Sequence, residues 1–117
     1  MPSAPIPVHS EDRYAPLLPI NDLPESFDWR DHGAVSPVKD QGSAGSCWAF
    51  STAGNIEGQM FLQNKTANVT SLSEEQLVDC DYKNCGVFGG WPYLAIEYVM
   101  ENGLQTEETY VRIVKFV

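Results

Sequence analysis

The sequence predicts a mainly α-helical domain, and three stretches indicate this. Apolar residues recur at helical spacing from Ala49 to Phe61. A Ser-Glu-Glu-Gln run beginning at Ser73 is typical of a helix start. A third periodic stretch, between Trp91 and Asn102, has a proline in its first turn and a glycine just after its end.

The first helix is predicted to begin at Ser46 or Cys47 and to run to about Asn64. A glycine-rich loop, residues 41–45, precedes it, and its small residues allow the backbone to turn tightly before the helix. The spacing therefore puts a single cysteine, Cys47, in the first turn.

Two features inside this helix predict close packing. Gly54 and Gly58 lie four residues apart, which costs helix propensity but allows another segment to approach closely. Glu57 lies between apolar neighbours. We favour a buried, paired carboxylate at this position over a solvated charge.

The second helix is predicted to be short, with Ser73 as its cap and its end near Asp81. Gln76, three residues after the serine, completes the pattern of a capping box, in which each side chain bonds the other's backbone N–H. Leu77 and Val78 are expected to point inward.

The third helix is predicted between Trp91 and Asn102, with Pro92 in its first turn and Gly103 just past its end. Its expected apolar face consists of Trp91, Leu94, Ala95 and Tyr98.

The stretches before and after the helices are predicted to differ from the domain itself. Residues 1–22 contain five prolines and no helical or strand period, which is typical of an extended linker. Residues 27–38 are predicted as short extended structure, with Trp29 in the core and a charge pair beside it. Residues 111–117 form an alternating apolar tail, so the domain itself is predicted to span residues 23–110.

Composition limits the possible partners. The chain has 117 residues and a net charge of −9 with seven basic residues, which argues against nucleic acid and against an anionic membrane surface as partners. No apolar run has the length of a membrane span. The first residues lack the basic start and apolar core of a signal peptide, so a targeting segment is not expected in this chain. We expect no metal and no cofactor.

The position of Cys47 suggests nucleophilic chemistry. Backbone N–H groups and the positive end of the helix dipole favour a negative charge in a first turn, and the thiolate is the nucleophilic form of cysteine. Gln41 lies six residues upstream, across the glycine loop, and its amide can donate to an oxygen bound above the sulfur. A lone cysteine is more often a buried structural residue, so the flanking residues decide between the two interpretations.

Those flanking residues resemble the papain family of cysteine peptidases, which includes the cathepsins. The matching blocks are Leu23-Pro24-Glu25-Ser26-Phe27-Asp28-Trp29-Arg30, Gly33 to Gly42, Gly45-Ser46-Cys47-Trp48-Ala49-Phe50-Ser51, Leu72 to Asp81, and Gly89-Gly90. The resemblance runs from about Leu23 to Tyr110. It implies the helical left-hand domain of the papain-like α+β fold. The second domain of that fold, a β-barrel, is not expected in this chain.

The resemblance also implies the roles of the site residues. Cys47 would attack the peptide carbonyl, and Gln41 would form the oxyanion hole with the Cys47 backbone N–H. Gly89 and Gly90 would bind an extended peptide through their backbone. The remaining substrate contacts are expected at Gly45, Ser46, Trp91 and Pro92, the last two as walls of an apolar pocket, although Trp91 has the alternative of being simply core.

A general base is the part of this chemistry that the sequence does not supply. A thiol protease needs an imidazole to protonate the leaving amine. The two histidines, His9 and His32, match no catalytic position of the family. We therefore expect a peptidase sequence that is truncated and inactive alone, with a peptide or protein substrate and a missing histidine-bearing domain as partners. The alternatives are a non-catalytic half-domain that binds a peptide or a protease inhibitor, and a fragment without a function of its own.

Cysteine usage also departs from the family. The resemblance implies a disulfide between the positions of Ala44 and Val87, and both cysteines are replaced. Cys80 and Cys85 are then unpaired, unless they bond to each other or a shifted alignment gives Cys85 another role. The family implies a lysosomal or extracellular location. Two sequons, at Asn64 and Asn68, agree with that, as candidate glycosylation sites.

Overall fold

The computed structural model describes residues 14–110. Its three α-helices are α1, Cys47–Leu62, α2, Glu74–Cys80, and α3, Pro92–Asn102. The described part contains no β-strand, only two isolated bridges, which pair Gly45 with Phe88 and Leu72 with Thr106. The predicted mainly α-helical fold is confirmed.

Helix α1 is the centre of the domain, because both other helices pack against it. The core cluster consists of Trp48, Ala49, Leu77 and Ala95. Half-buried side chains of α2 and α3 surround this cluster, so the two shorter helices cover one face of α1.

The ends of α1 and α3 follow local sequence signals. Helix α1 ends two residues before the predicted limit, where Asn64 adopts a left-handed φ of 57° and breaks the helical path. Pro92 is in the first turn of α3, as predicted, and Trp91 is its cap in extended conformation. Gly103, with φ 76°, ends the helix, again as predicted.

The capping of α2 is half as predicted. The Ser73 hydroxyl accepts a hydrogen bond from the Gln76 N–H at 3.1 Å, as an N-cap should. The reciprocal bond of a capping box is absent, because the Ser73 N–H donates instead to the carbonyl of Gln105 at 2.9 Å. The Gln76 amide accepts from the Gln105 N–H at 2.7 Å, so it ties α2 to the segment after α3.

Glu57 is buried and paired, as predicted. Its side chain is 1% exposed and accepts hydrogen bonds from Ser36 Oγ at 2.5 Å and from the Leu72 N–H at 2.8 Å. Lys39 Nζ lies 2.8 Å from Glu57 and 3.1 Å from the buried Glu74. One lysine thus pairs with two buried carboxylates.

The prediction of close approach at the two α1 glycines is right for one of them. A Cβ on Gly58 would lie 3.0 Å from the carbonyl oxygen of Ala34, whereas a Cβ on Gly54 would meet nothing within 4 Å. Only Gly58 therefore accommodates another segment, and the prediction for Gly54 is wrong.

The segment before the glycine loop differs from its prediction as extended structure. Trp29–His32 form a short 3-10 helix, capped by Asp28, whose carboxylate also pairs with the Arg30 guanidinium. The charge pair was expected, but Trp29 is half-exposed and not in the core, because it packs edge-on against the exposed ring of Phe27.

The predicted linker and tail are only partly within the described residues. Residues 14–22 form no helix or strand and are exposed, while residues 1–13 and 111–117 lie outside the described range. The domain limits stay a prediction. None of the helices in residues 14–110 is both long and apolar enough to span a membrane.

Candidate active site

The loop before Cys47 is shaped by two glycines. Gly42 adopts a left-handed φ of 67°, which favours glycine, and its N–H donates to Asp40 Oδ1 at 2.7 Å. Gly45 lies against the loop before α3, where a Cβ would be 2.5 Å from the Val87 carbonyl oxygen. The Gly45 N–H donates to that same oxygen at 2.8 Å. Any larger residue at position 45 would push these two loops apart.

Cys47 is the first residue of α1, and it is exposed. The Ser46 carbonyl accepts the N–H groups of Ala49 and Phe50, while the Cys47 N–H has no acceptor among residues 14–110. The first turn of α1 carries no acidic side chain. The positive end of the helix dipole therefore faces the thiol without a competing carboxylate in that turn.

Gln41 is held close to the loop that leads to Cys47. Its Nε2 donates to the Ala44 carbonyl at 2.7 Å, a contact that the sequence did not indicate. The bond ties the Gln41 amide to the glycine loop that precedes Cys47.

Trp48 anchors the start of α1. Its ring is buried in the core cluster, and its indole N–H donates to the Gly86 carbonyl at 2.9 Å. Because consecutive helical residues point in different directions, a buried Trp48 leaves Cys47 facing outward. The tryptophan thereby ties the helix start to the loop that carries the predicted substrate-binding glycines.

The two glycines of the pair, Gly89 and Gly90, are required for different structural reasons. Gly89 has φ 124°, which side chains rarely adopt, and its Cβ position is open. A Cβ on Gly90 would lie 2.6 Å from Trp48 Cδ2 and 2.7 Å from Asn84 Oδ1. Gly89 thus has free space at its Cβ position, although its carbonyl already accepts from the Cys85 N–H at 2.9 Å. Packing against Trp48 requires the glycine at position 90, a reason that the sequence did not indicate.

The predicted pocket wall is accessible. Trp91 is 36% exposed, so the alternative of a simple core tryptophan does not fit, and Pro92 is half-buried beside it. Ser46 is buried and Gly45 is half-buried with its N–H already bonded, which leaves both little surface for a substrate. The role of these residues stays a prediction.

The histidine within the described range is not brought to the thiol. His32 is exposed and stacks on Phe27, with ring centroids 4.7 Å apart, in the short 3-10 helix. No hydrogen bond joins it to Cys47 in the described part of the chain. His9 lies outside the described residues.

All three cysteines are free thiols. Cys80 lies 3.9 Å from the hydroxyl of Tyr110 and forms no bond to Cys85. The segments of Ala44 and Val87, where the family resemblance implies a disulfide, run side by side through the Gly45–Phe88 bridge. A backbone hydrogen bond therefore joins the two loops at this point.

The two predicted glycosylation asparagines are both exposed, in the loop after α1. The threonines of their sequons differ, because Thr66 Oγ1 is buried without a partner while Thr70 is exposed. Modification of Asn64 and Asn68 stays a prediction. Residues 14–110 contain no group of three or more His, Cys, Asp or Glu side chains that could hold a metal ion.

Two site-shaping residues were not singled out from the sequence. Asp81 and Asn84 are buried between α2 and α3, joined by a 2.6 Å hydrogen bond, and Asn84 also bonds the Trp91 backbone. A turn-forming asparagine and aspartate are common in loops, so only the burial identifies them.

Comparison with known proteins supplies the family. The family described as papain family cysteine protease matches residues 23–115 of this chain. Cysteine proteinase 15A of Pisum sativum is 49% identical over 112 residues, which is 88% of this chain and 30% of that protein. Digestive cysteine proteinase 1 of Homarus americanus is 60% identical over 93 residues, 74% of this chain and 28% of that protein.

A solved structure agrees with the fold. The digestive procathepsin L2 proteinase from the larval midgut of Tenebrio molitor superposes with a TM-score of 0.75 at 48% identity, over 82% of this chain and 31% of that one. The chain thus spans less than a third of the length of each of these three proteins.

Proposed function

Because this chain belongs to the papain family of cysteine proteases, we propose that it carries the nucleophile of a cysteine endopeptidase that cleaves peptide bonds through an acyl-enzyme on Cys47. The observation that carries the proposal is the placement of Cys47. Its thiol is exposed at the first residue of α1, next to an N–H without an acceptor in residues 14–110.

The proposed reaction begins with attack on the substrate. The Cys47 thiolate forms an S–C bond to the peptide carbonyl carbon, and the carbonyl oxygen becomes an oxyanion. The Cys47 N–H and the Gln41 amide donate hydrogen bonds to that oxygen. The C–N bond then breaks, the amine leaves with a proton, and water hydrolyses the thioester to release the acid and the thiol.

Proton transfer is the step for which the described residues offer no group. The leaving amine needs a proton, and a helix dipole cannot donate one. His32 is occupied in stacking on Phe27. We therefore propose that residues 14–110 acylate slowly or not at all unless a histidine is supplied from outside this range, by a separate domain or chain.

Substrate preference follows from Trp91 and Pro92. The accessible indole and the proline ring beside it favour a bulky apolar side chain as the second residue before the scissile bond. The free space at the Gly89 Cβ position leaves room for extended, strand-like binding of the peptide.

A lysosomal or secreted location is proposed on the same basis. The Homarus relative is named a digestive proteinase, and the Tenebrio structure comes from larval midgut. The exposed asparagines at positions 64 and 68 are compatible with glycosylation on this route.

The decisive test is hydrolysis of a fluorogenic peptide with an apolar second residue, at mildly acidic pH with a reductant present. The wild-type chain alone is expected to show no turnover that Cys47→Ala removes. Adding a histidine-bearing partner domain should produce turnover that depends on Cys47. Turnover by the chain alone that is lost in Cys47→Ala would contradict the proposed lack of a base.

A second candidate function is peptide binding without cleavage, favoured by the free space at the Gly89 Cβ position together with the absence of a base beside Cys47 in residues 14–110. Equilibrium binding of the same peptide, or of a protease inhibitor, distinguishes it. Binding that Cys47→Ala leaves unchanged, with no turnover under any condition, would favour the binding module over the peptidase.

A further inference from the structure

Asn84 bonds both backbone groups of a single residue. Its Oδ1 accepts from the Trp91 N–H at 2.7 Å, and its Nδ2 lies 3.4 Å from the Trp91 carbonyl oxygen. Trp91 is extended, with φ −127° and ψ 132°. An amide side chain that pairs with both groups of an extended residue replaces a neighbouring strand, so it fixes the path of the backbone at that point.

Asp81 determines which way this amide faces. Asn84 Nδ2 donates to Asp81 Oδ2 at 2.6 Å, and the Lys83 N–H donates to Asp81 Oδ1 at 3.1 Å. A carboxylate accepts only, so it selects the NH₂ side of the amide and leaves the carbonyl side for Trp91. Both side chains are buried, with Asn84 7% exposed, and a buried hydrogen-bonded pair of this kind resists displacement.

The Asn84 amide also lies close to Trp48, which anchors the start of α1, because both side chains contact Gly90. Asn84 Oδ1 and the Trp48 ring both lie against Gly90, each within 2.7 Å of the position that a Cβ would take. Trp48 directly follows Cys47 and is bonded to Gly86 in the same loop. The contacts among Asn84, Gly90 and Trp48 thus connect the loop that carries the glycine pair to the start of α1.

We propose that Asn84, oriented by Asp81, is a positioning residue that sets the register between the peptide-binding backbone at Gly89 to Trp91 and the sulfur of Cys47. This inference rests on the proposed function of Cys47 and the glycine pair. Neither side chain is expected to touch the reacting atoms, because both are buried beneath the loop. Without these side chains, Cys47 should react more slowly with a reagent whose peptide binds in the cleft. Its intrinsic reactivity toward a small reagent should stay unchanged.

Two alkylating reagents separate these effects on the full chain. Iodoacetamide is small and needs only the thiolate, which displaces iodide. A peptidyl chloromethyl ketone with an apolar second residue undergoes displacement of chloride by the same thiolate, but its peptide also occupies the cleft. At Cys47, the rate constant for the chloromethyl ketone is divided by the rate constant for iodoacetamide. This ratio, divided by the same ratio for glutathione, defines a cleft index.

Each cysteine can be followed by itself. The chain has seven basic residues, and tryptic cleavage after Lys39, Lys65, Lys83 and Arg112 puts Cys47, Cys80 and Cys85 on separate peptides. Mass spectrometry of these peptides gives a rate constant for each thiol, and Cys80 and Cys85 are internal references.

In the wild type we expect a cleft index well above one. Asn84→Ala should lower it about tenfold or more, because two backbone contacts are lost and a displaced peptide presents its chloromethyl carbon poorly to the thiolate, while the iodoacetamide rate changes by less than about twofold. Asn102→Ala, which removes an exposed amide bonded to the Tyr98 carbonyl, should leave the index unchanged.

A swapped pair supplies the rescue. Asn84→Asp alone keeps an acceptor for the Trp91 N–H but faces Asp81 with a second carboxylate, so the index should fall. In the double variant Asp81→Asn/Asn84→Asp, the amide donates from position 81 to the carboxylate at position 84. Most of the lost index should return.

The outcomes are distinguishable. A wild-type index near one would overturn the proposed function and this inference with it. A high wild-type index that Asn84→Ala leaves unchanged would overturn the positioning role and leave the proposed function intact. The index is also unchanged when both rate constants fall by the same factor. If Asn84→Ala does not fold, by loss of its helical circular dichroism, the comparison of Asn84→Asp with the double variant decides.

Discussion

Among the cations of the described residues, Lys39 is the one that pairs with two buried carboxylates. Burial alone lowers the pKa of Lys39, but hydrogen bonds and charge attraction from Glu57 and Glu74 outweigh this, so the pKa is raised above its ordinary value. A raised pKa means that protonated Lys39 stabilises the fold. This stabilisation is fully present below the unfolded pKa and is lost as the pH rises through the folded one.

Replacing Lys39 by methionine should therefore lower the free energy of unfolding by about 3 kcal/mol at neutral pH, since it leaves buried carboxylates without a counter-charge. Urea denaturation measures this. The deficit relative to wild type should shrink as the pH rises from about 10.5, the ordinary lysine pKa, through the higher pKa of folded Lys39, where the wild-type lysine also loses its charge.

Lys83→Met is the matched control. Lys83 is 49% exposed and lies 3.7 Å from Glu97 and Glu101, whereas Lys39 is 25% exposed and 2.8 Å from a buried partner. The control should change stability by less than about 0.5 kcal/mol. Equal effects of the two substitutions would contradict a buried, paired role for Lys39.

At the other end of the pH scale the sensitive residue is Asp28. Hydrogen bonds from the Arg30 guanidinium and then from the Arg30 N–H lower the pKa of Asp28 below its ordinary value of 3.8. The cap of the 3-10 helix is therefore fully present above the unfolded pKa and is lost as the pH falls through the folded one.

An NMR titration of the Asp28 carboxyl carbon should show a midpoint below 3.8 in the wild type. In Arg30→Gln the midpoint should move back up, because the charged donor is gone. An unchanged midpoint in the variant would show that Arg30 is not the cause.

At the scale of the helix, α1 contains a matched pair of glycines. Gly54→Ala should raise the free energy of unfolding by about 0.5–1 kcal/mol, because alanine is the better helix former and nothing lies within 4 Å of the new methyl group. Gly58→Ala gains the same propensity but meets the Ala34 carbonyl oxygen at 3.0 Å, so the gain should be cancelled or reversed. Thermal denaturation of the two variants ranks them, and a stabilising Gly58→Ala would show that the Ala34 segment yields easily.

These helices also show what sequence can and cannot predict. The limits of α3 follow from Pro92 and Gly103, and the start of α2 from Ser73, because caps act within a few residues. The partner of Gln76 lies 29 residues away at Gln105, and Lys39 lies 35 residues from Glu74. Such long-range partners compete with the local capping pattern, and only the packed chain decides the outcome.

In the candidate site, too, some residues could be predicted from the sequence and others could not. Cys47, Gln41 and the glycine pair belong to contiguous motifs, so their resemblance to a family is readable from the chain. Asn84 belongs to no motif, and its importance comes from burial between two helices. Trp29 shows the reverse error, because a large aromatic side chain was expected in the core and instead packs on an exposed neighbour.

At the scale of the whole molecule, the buried apolar set within residues 14–110 is small. It consists of Ala34, Trp48, Ala49, Ala53, Leu72, Leu77 and Ala95, and buried polar side chains of similar number surround it. Few large side chains are therefore available to stabilise the described part of the fold.

Leu77→Ala should consequently have a large effect on this molecule. Leu77 is fully buried against Trp48, Ala49 and Ala95, where α1, α2 and α3 meet. The loss should be about 3 kcal/mol, which is a large part of the stability of a small domain. Chemical denaturation checks this, with Met100→Ala, on the exposed face of α3, as the control that should change little.

The Gly45–Val87 hydrogen bond also bears on the surroundings that this molecule tolerates. A nucleophilic thiol must be kept from oxidation, and a brace made of sulfur beside it would be exposed to the same reductant. Here the loop of Cys47 and the loop of the glycine pair are joined by amide and carbonyl groups, on which electron donors have no effect. The alignment of the two loops is thus independent of redox potential.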